Sequence, residues 1–244
     1  MRRLALLLAL LVAAPAAAGT CREALVLALD VSGSVDATEY RQQLDGIAAA
    51  LDDPAVRQAF LAMPDAPVDL AIFEWAGPGT RRLILPWTQV RDAPTLDRIG
   101  SALRAWLRRP SDPSTGLGTA MLEGAAMLAE RPACWRKVLD ISADGRSNAG
   151  PRPQDVRDAA ALADVTVNGL VVADPSAAAD GGRGSGEADL EGYFRAWVIR
   201  GPDAFVETAA GYAGYRVAMT RKLIRELQVL AIGRATVRSA RRTR

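Results

Sequence analysis

Short apolar runs alternate with amphipathic stretches along most of the chain, which is the pattern of a largely parallel sheet wrapped by helices. The segments predicted to be strands are 24–29, 68–75, 81–85, 138–142, 166–172 and 204–207. The segments with helical periodicity are 37–51, 96–107, 119–130, 153–164 and 212–230. The run 24–29 is almost continuously apolar, so we expect the first strand to be buried on both faces. The pattern predicts one α/β domain.

Three regions fall outside this alternation, namely residues 1–18, residues 174–189 and the C-terminal end. Residues 1–18 join Met1-Arg2-Arg3 to an apolar run and then to small residues ending at Ala18, which is typical of a cleaved secretory signal. An uncleaved membrane anchor is the alternative, but the run is shorter than the roughly 20 apolar residues that cross a bilayer. Residues 174–189 are rich in Gly, Ala and Ser and predict a surface insertion. We expect an exported protein, periplasmic or secreted, with no membrane span after cleavage and a folded domain over residues 19–231.

The charge distribution separates the domain from its C-terminal end. Residues 19–233 carry 23 basic and 28 acidic side chains, whereas the last eleven residues hold five arginines and no acid. We therefore expect residues 232–244 to form a basic, disordered tail. Such a tail can bind anionic lipid or nucleic acid, but a solvated end is the simpler interpretation. Nothing in the composition requires a nucleic-acid partner.

The chain contains no histidine and two cysteines. Nucleophilic systems that need a histidine base are therefore excluded. The usual histidine-bearing zinc sites are excluded too, and two cysteines cannot form a four-thiolate site. Metal chemistry in this chain must use mainly oxygen ligands, which suit hard cations such as Mg²⁺, Mn²⁺ or Ca²⁺.

A short polar motif follows the first predicted strand. Asp30, Ser32 and Ser34 are spaced two apart, and Gly33 permits a tight turn between the two serines. In an extended or tightly turned loop, these side chains can converge on a single cation at the carboxyl end of the strand, where open α/β sheets bind ligands. The alternative is that the motif caps the helix beginning near Asp36, and taken alone the motif favours capping.

Two later segments change that balance. Residues 115–121 and 139–145, taken with the first loop, resemble the von Willebrand factor A domain and its metal-ion-dependent adhesion site. The resemblance runs from about residue 24 to residue 230. A narrower resemblance is to DUF1194, a bacterial A-domain family without an assigned activity. The segments that are similar to this family are 31–36, 73–75, 136–145, 167–170 and 198–202.

The resemblance implies a fold and a ligand set. The fold is a Rossmann-like three-layer sandwich, with strand order 3-2-1-4-5-6 and helices on both faces. One divalent ion, Mg²⁺ or else Mn²⁺ or Ca²⁺, would be held by Asp30, Ser32, Ser34, Thr115 and Asp144. Thr119 is a second hydroxyl near Thr115, and the register of the motif favours Thr115 as the ligand and Thr119 as a helix-start residue. Glu74 is a possible water-mediated neighbour of the ion, and a solvent-facing carboxylate is an equally good interpretation.

The same resemblance bears on the cysteines. Cys21 lies nine residues before Asp30 and Cys134 lies ten before Asp144. In the A-domain strand order these two strands are neighbours, so we expect a Cys21–Cys134 disulfide, which export also favours. The alternative is two unpaired thiols near the surface. Asp140 is expected to be structural and paired within the sheet region.

The function implied is a non-enzymatic domain that binds a protein partner. Two carboxylates and three neutral hydroxyls leave positive character on a divalent ion and an open coordination position, which a partner's Asp or Glu can occupy. One alternative is a metal-dependent phosphotransferase or hydrolase that uses Asp30 as its nucleophile. Another is a metal-free structural domain.

Overall fold

The computed structural model describes residues 20–173 and 187–240. The predicted signal (1–18), residues 174–186 of the predicted insertion and residues 241–244 of the predicted tail lie outside the described residues. Within the described part of the chain, no helix is long and apolar enough to cross a membrane.

In the part of the chain that the structure describes, six strands form one sheet at the centre of the domain. They are β1 (Glu23–Asp30), β2 (Val68–Trp75), β3 (Arg81–Val90), β4 (Lys137–Ala143), β5 (Val165–Ala173) and β6 (Val206–Ala210). Their order is β3-β2-β1-β4-β5-β6. All neighbours are parallel except the hairpin pair β2 and β3. This is the predicted fold class and strand order.

Within residues 20–173 and 187–240, seven α-helices cover both faces of the sheet. One face carries α1 (Ala37–Asp52), α2 (Pro54–Leu61), α3 (Ala93–Ala105) and α7 (Tyr215–Ala240), and the other carries α4 (Leu117–Ala129), α5 (Pro153–Val156) and α6 (Glu187–Trp197). Along β1, Leu25, Leu27 and Leu29 enter the first core while the alternate alanines and valine enter the second. Strand β1 lies between β2 and β4, and helices cover both faces of the sheet. It is therefore buried on both faces, as its apolar sequence predicts.

Several boundaries differ from the prediction. Helices α2 and α6 are additional, and residues 187–189 of the predicted insertion begin α6. The predicted helix over 153–164 is the short α5 followed by a single 3₁₀ turn, Ala160–Leu162. Helix α7 continues to residue 240, so residues 232–240 of the predicted disordered tail have helical backbone.

Strand β3 continues through Pro86, where the sequence predicted its end. The strand lies at the edge of the sheet and pairs with β2 alone. Leu85 pairs with Ile72 and Thr88 pairs with Leu70, so Pro86 falls in an irregularity of the ladder where no backbone N–H is needed. An edge position and a bulge are the two places where a strand tolerates proline.

A group of charged residues is buried between the sheet and α7. This buried ion cluster consists of Glu23, Arg136, Asp140, Lys222 and Glu226. Lys222 Nζ donates to Asp140 Oδ1 and lies 3.6 Å from Glu226 Oε2. The expectation that Asp140 is structural and paired is confirmed, and its partner is the lysine of the terminal helix.

The predicted disulfide is present. Cys21 and Cys134 are bonded through their Sγ atoms, just before β1 and β4 begin. The Trp135 N–H donates to the Cys21 carbonyl at 3.0 Å, so backbone and side chains both join the two strands at this end of the sheet.

Candidate metal centre

The carboxyl ends of β1 and β4 meet at the edge of the sheet opposite the disulfide. Asp30 is the last residue of β1, and Asp144 follows the last residue of β4. The two strands are parallel neighbours, with Leu29 paired to Ser142. The topology therefore brings the two aspartates, 114 positions apart in the sequence, to the same edge.

The loop after β1 is folded by its own polar groups. The Ser32 N–H donates to Asp30 Oδ1 at 2.8 Å, and the Val35 N–H donates to the Ser32 carbonyl at 3.1 Å. Gly33 donates to the Pro113 carbonyl at 2.9 Å, and a Cβ at this position would come within 3.0 Å of the same oxygen. Gly33 is thus needed because the loop before α4 packs directly against it.

The hydroxyls predicted to be ligands form a connected set. Ser32 Oγ lies 3.3 Å from both Ser34 Oγ and Thr115 Oγ1, and the Ser34 hydroxyl donates to Asp144 Oδ1 at 2.7 Å. With Asp30 bonded to the Ser32 backbone, the structure brings all five predicted residues together. They are contributed by the end of β1 and the loop that follows it, the loop before α4, and the loop after β4.

Helix capping does not account for this loop. The cap of α1 is Asp36, which accepts from the Glu39 N–H at 2.8 Å while Glu39 accepts from the Asp36 N–H at 2.8 Å. The capping box therefore lies beyond Ser34 and leaves Asp30, Ser32 and Ser34 free for another role.

Thr115 is held by the loop that carries Asp144. Its N–H donates to Asn148 Oδ1 at 2.8 Å, and its carbonyl accepts from the Asn148 N–H at 2.9 Å. Thr119 lies within α4, two residues after that helix begins, and its Oγ1 faces Gly150. The structure therefore places Thr115 in the cluster, and Thr119 is inside the helix instead of at its predicted start.

The electrostatics of the two carboxylates are unfavourable without a cation. Burial, followed by the charge of Asp144, raises the pKa of Asp30 to about 7, although its hydrogen bonds with Ser32 oppose this rise. Burial also raises the pKa of Asp144, and the hydroxyls of Ser34 and Tyr212 partly offset the rise. Among the described residues, no lysine or arginine acts on either pKa.

The residues present fit a hard divalent cation. All the donors are carboxylate or hydroxyl oxygens, which such ions prefer. Asp30 is fully buried, and its Oδ2 atom has no hydrogen-bond partner. A buried, charged and unpartnered oxygen is strongly unfavourable in an apolar interior, and a bound cation would compensate it.

Glu74 does not have the solvent-facing position that one of its two interpretations predicted. Its side chain is 1% exposed, so it does not face solvent. Its two oxygens accept from the Tyr40 hydroxyl at 2.8 Å, from Arg82 Nη1 at 3.0 Å and from Trp106 Nε1 at 3.3 Å. These contacts join β2 to α1, β3 and the residue after α3, so Glu74 is satisfied by structural partners.

Comparison with known proteins identifies the family. Residues 20–231 match the family described as "Protein of unknown function (DUF1194)". The chain belongs to DUF1194. A search of curated proteins finds no match to this DUF1194 sequence.

Solved structures agree with the fold of this DUF1194 protein. Proximal thread matrix protein 1 from the mussel byssus, in a structure described as having a zinc-occupied MIDAS motif, shares 15% identity at a TM-score of 0.61, over 86% of this chain and 48% of that one. A von Willebrand factor type A protein from Catenulispora acidiphila shares 13% identity at a TM-score of 0.57, over 85% and 43% of the two chains. The pilus adhesin SpaC from Lactobacillus rhamnosus GG shares 14% identity at a TM-score of 0.58, over 85% of this chain and 31% of that one. The DUF1194 chain thus has the von Willebrand factor A fold and spans about half or less of these neighbours.

Sequence reasoning missed two residues of the DUF1194 site. Asn148 joins the loop of Asp144 to Thr115, and an amide four residues after a strand-end aspartate is the local signal that could have found it. Tyr212 follows β6 and is separated by 68 positions from Asp144. No local pattern connects these two residues, because only the packing of the chain over the sheet edge brings them together.

Proposed function

We propose that this DUF1194 protein is an exported, non-enzymatic domain that binds a protein partner through a divalent ion. Asp30, Ser32, Ser34, Thr115 and Asp144 would hold one ion, with Mg²⁺ as the principal candidate and Mn²⁺ or Ca²⁺ as alternatives. The observation that carries the proposal is the five-residue oxygen cluster with a buried Asp30 oxygen that lacks a partner.

The cluster is accessible from one side. Ser34 is exposed and Asp144 is partly exposed, whereas Asp30, Ser32 and Thr115 are buried. When bound, a divalent ion would balance the two aspartate charges and offer a coordination position open to a ligand from solvent. A carboxylate oxygen is a ligand that hard divalent ions prefer, so we infer that the partner presents an Asp or Glu at this edge of the sheet.

The structural neighbours support the general character of the proposal. One is described as having a zinc-occupied MIDAS motif and another as a pilus adhesin. These descriptions belong to those proteins, and at such low identity they support the fold of this chain more directly than its ligand.

The enzymatic alternative is less well supported. A phosphotransferase would need the Asp30 carboxylate to reach a phosphorus atom. Asp30 is fully buried, and one of its oxygens is already bonded to the Ser32 N–H. The buried position therefore favours Asp30 as part of an ion site over Asp30 as a nucleophile.

The test is crosslinking of the protein to its neighbours in the cell envelope, with Mg²⁺ or with a chelator. We expect partners that are lost on chelation and lost equally in Thr115→Val, which removes one hydroxyl ligand at nearly constant shape. Thr119→Val is the matched control because its hydroxyl lies on the same segment but faces Gly150. Partners that are unchanged by the chelator and by Thr115→Val would contradict the proposal and favour a metal-free structural domain.

A further inference from the structure

The turn between β6 and α7 places a tyrosine hydroxyl in the protein interior. Gly211 has a φ of 64° and donates to the Ala173 carbonyl at 2.8 Å, which directs the chain back over the carboxyl edge of the sheet. The next residue, Tyr212, is 5% exposed. Its hydroxyl oxygen is buried and has no hydrogen bond of ordinary geometry.

The packing of Tyr212 fixes where its ring lies. The ring stacks on that of Tyr215, with centroids 6.2 Å apart and planes inclined by 13°. The Tyr215 hydroxyl is 2.7 Å from the Oγ atom of Ser142. Ser142 lies on β4, two residues before Asp144. The pair of rings therefore packs above the end of β4, where the loop carrying Asp144 begins.

The electrostatics agree with this placement. Burial, followed by the charges of Asp144 and Asp30, raises the pKa of Tyr212 well above its ordinary value. Both charges belong to predicted ion ligands, which agrees with the position of the ring pair above the end of β4. The Tyr212 hydroxyl acts on the pKa of Asp144 but makes no hydrogen bond of ordinary geometry, so a state that aligns the two groups better is favoured.

We propose that Tyr212 is a positioning residue of the ion site: its hydroxyl donates a hydrogen bond to the Asp144 carboxylate when a divalent ion is bound. This inference rests on the proposed function. Asp144 Oδ1 accepts from the Ser34 hydroxyl, and a carboxylate has room for further donors. A second donor fixes the carboxylate plane and so the direction of the oxygen offered to the ion. Such outer hydrogen bonds change metal affinity by about 10–100-fold in other sites.

The experiment is a titration of the protein with Mn²⁺, followed by the electron paramagnetic resonance signal of the free ion. We expect Tyr212→Phe to bind Mn²⁺ about 10–100-fold more weakly than the wild type. Urea unfolding in chelator should show a stability for Tyr212→Phe close to that of the wild type, because the variant keeps the ring stacking and removes a hydroxyl that makes no hydrogen bond of ordinary geometry. A merely structural role for Tyr212 would predict lower stability in chelator and unchanged Mn²⁺ affinity.

Tyr215→Phe is the matched control. It removes the hydroxyl that contacts Ser142, so we expect lower stability in chelator and wild-type Mn²⁺ affinity. Equal Mn²⁺ affinity in the wild type and in Tyr212→Phe would overturn the inference and leave the proposed function intact. A loss of affinity in Tyr212→Phe accompanied by a loss of ion-free stability would also overturn it. Absence of Mn²⁺ binding by the wild type would overturn the proposed function itself, and the inference with it.

Discussion

Buried carboxylates lie in two regions of this protein, and their charges are balanced differently in each. In the buried ion cluster, Glu23, Asp140 and Glu226 face Lys222 and Arg136. At the sheet edge, Asp30 and Asp144 face the hydroxyls of Ser32, Ser34 and Thr115. The first region therefore contains its own cations. The second has none among the described residues that act on the pKa of either aspartate.

The difference separates structural roles from binding roles. A buried carboxylate with no internal base must be protonated or accept an external cation, because an isolated buried charge is strongly unfavourable. Sites that bind ligands commonly retain such unfavourable arrangements at a cost in stability. By this criterion the pair of Lys222 and Asp140 holds α7 to the sheet, and the sheet edge is built for a ligand.

The largest effect is expected at Lys222. The chain has two lysines, and Lys222→Met leaves Asp140 buried without its cation while keeping most of the side-chain volume. We expect a loss of about 3–5 kcal/mol in the free energy of unfolding, measured by urea denaturation. The other lysine is the control: Lys137 pairs with Asp164, which is 67% exposed, so Lys137→Met should cost about 0–1 kcal/mol. Similar losses in the two variants would remove the distinction between the cluster and the surface.

A second test uses the pH dependence of Glu23. Burial raises the pKa of Glu23 to about 7 from 4.5, and the groups facing it are Arg136, Asp140, Arg22 and Lys222. A raised carboxyl pKa means that the contribution of Glu23 to stability is fully present below pH 4.5 and is lost as pH rises to about 7.

The loss that comes from Glu23 is about 3 kcal/mol. Glu23→Gln cannot ionise, so its stability relative to the wild type should increase by about that amount from acidic to neutral pH. Urea unfolding at intervals between these pH values measures the difference. A difference that is constant with pH would show that Glu23 is not held in the apolar environment described.

A third test uses Asp30, where the expected stability effect is smaller than at Lys222 and has the opposite sign. In chelator, Asp30→Asn should stabilise the protein by about 1–3 kcal/mol, because the variant removes an unpartnered buried charge and keeps the acceptor for the Ser32 N–H. Asp140→Asn is the matched control on the neighbouring strand. It should destabilise, since it leaves Lys222 with a weakened partner. If Asp30→Asn destabilised as Asp140→Asn does, the two regions would not differ in the way proposed.

The sequence predicted the sheet well because its strands carry continuous apolar runs with polar ends. Strand β2 has the predicted bounds, and β1 and β4 differ from prediction by a residue at each end. Strand β3 was predicted too short because Pro86 looks like a terminator unless the edge position of the strand is known. Helix α2 was missed although Asp53 and Pro54 form a local start signal, with Asp53 accepting from the N–H groups of Ala55 and Val56.

The ion-site residues were predictable because three short motifs contain them, and the resemblance to a known family ordered those motifs. What the sequence could not supply were contacts between distant segments. Lys222 pairs with Asp140 across 82 positions, Glu74 is enclosed by Tyr40, Arg82 and Trp106, and Tyr212 reaches the site from the turn before α7. Each of these depends on how α7, α1 or the edge strand packs on the sheet, which local periodicity does not determine.

The most direct test of the account is calorimetric titration with Mg²⁺. We expect the wild type to bind one ion and Asp30→Ala and Asp144→Ala to lose that binding. Glu74→Gln should keep it, because the partners of Glu74 are structural. Absence of Mg²⁺ and Mn²⁺ binding by the wild type would contradict the assignment of this sheet edge as an ion site. So would binding by the two aspartate variants that equals binding by the wild type.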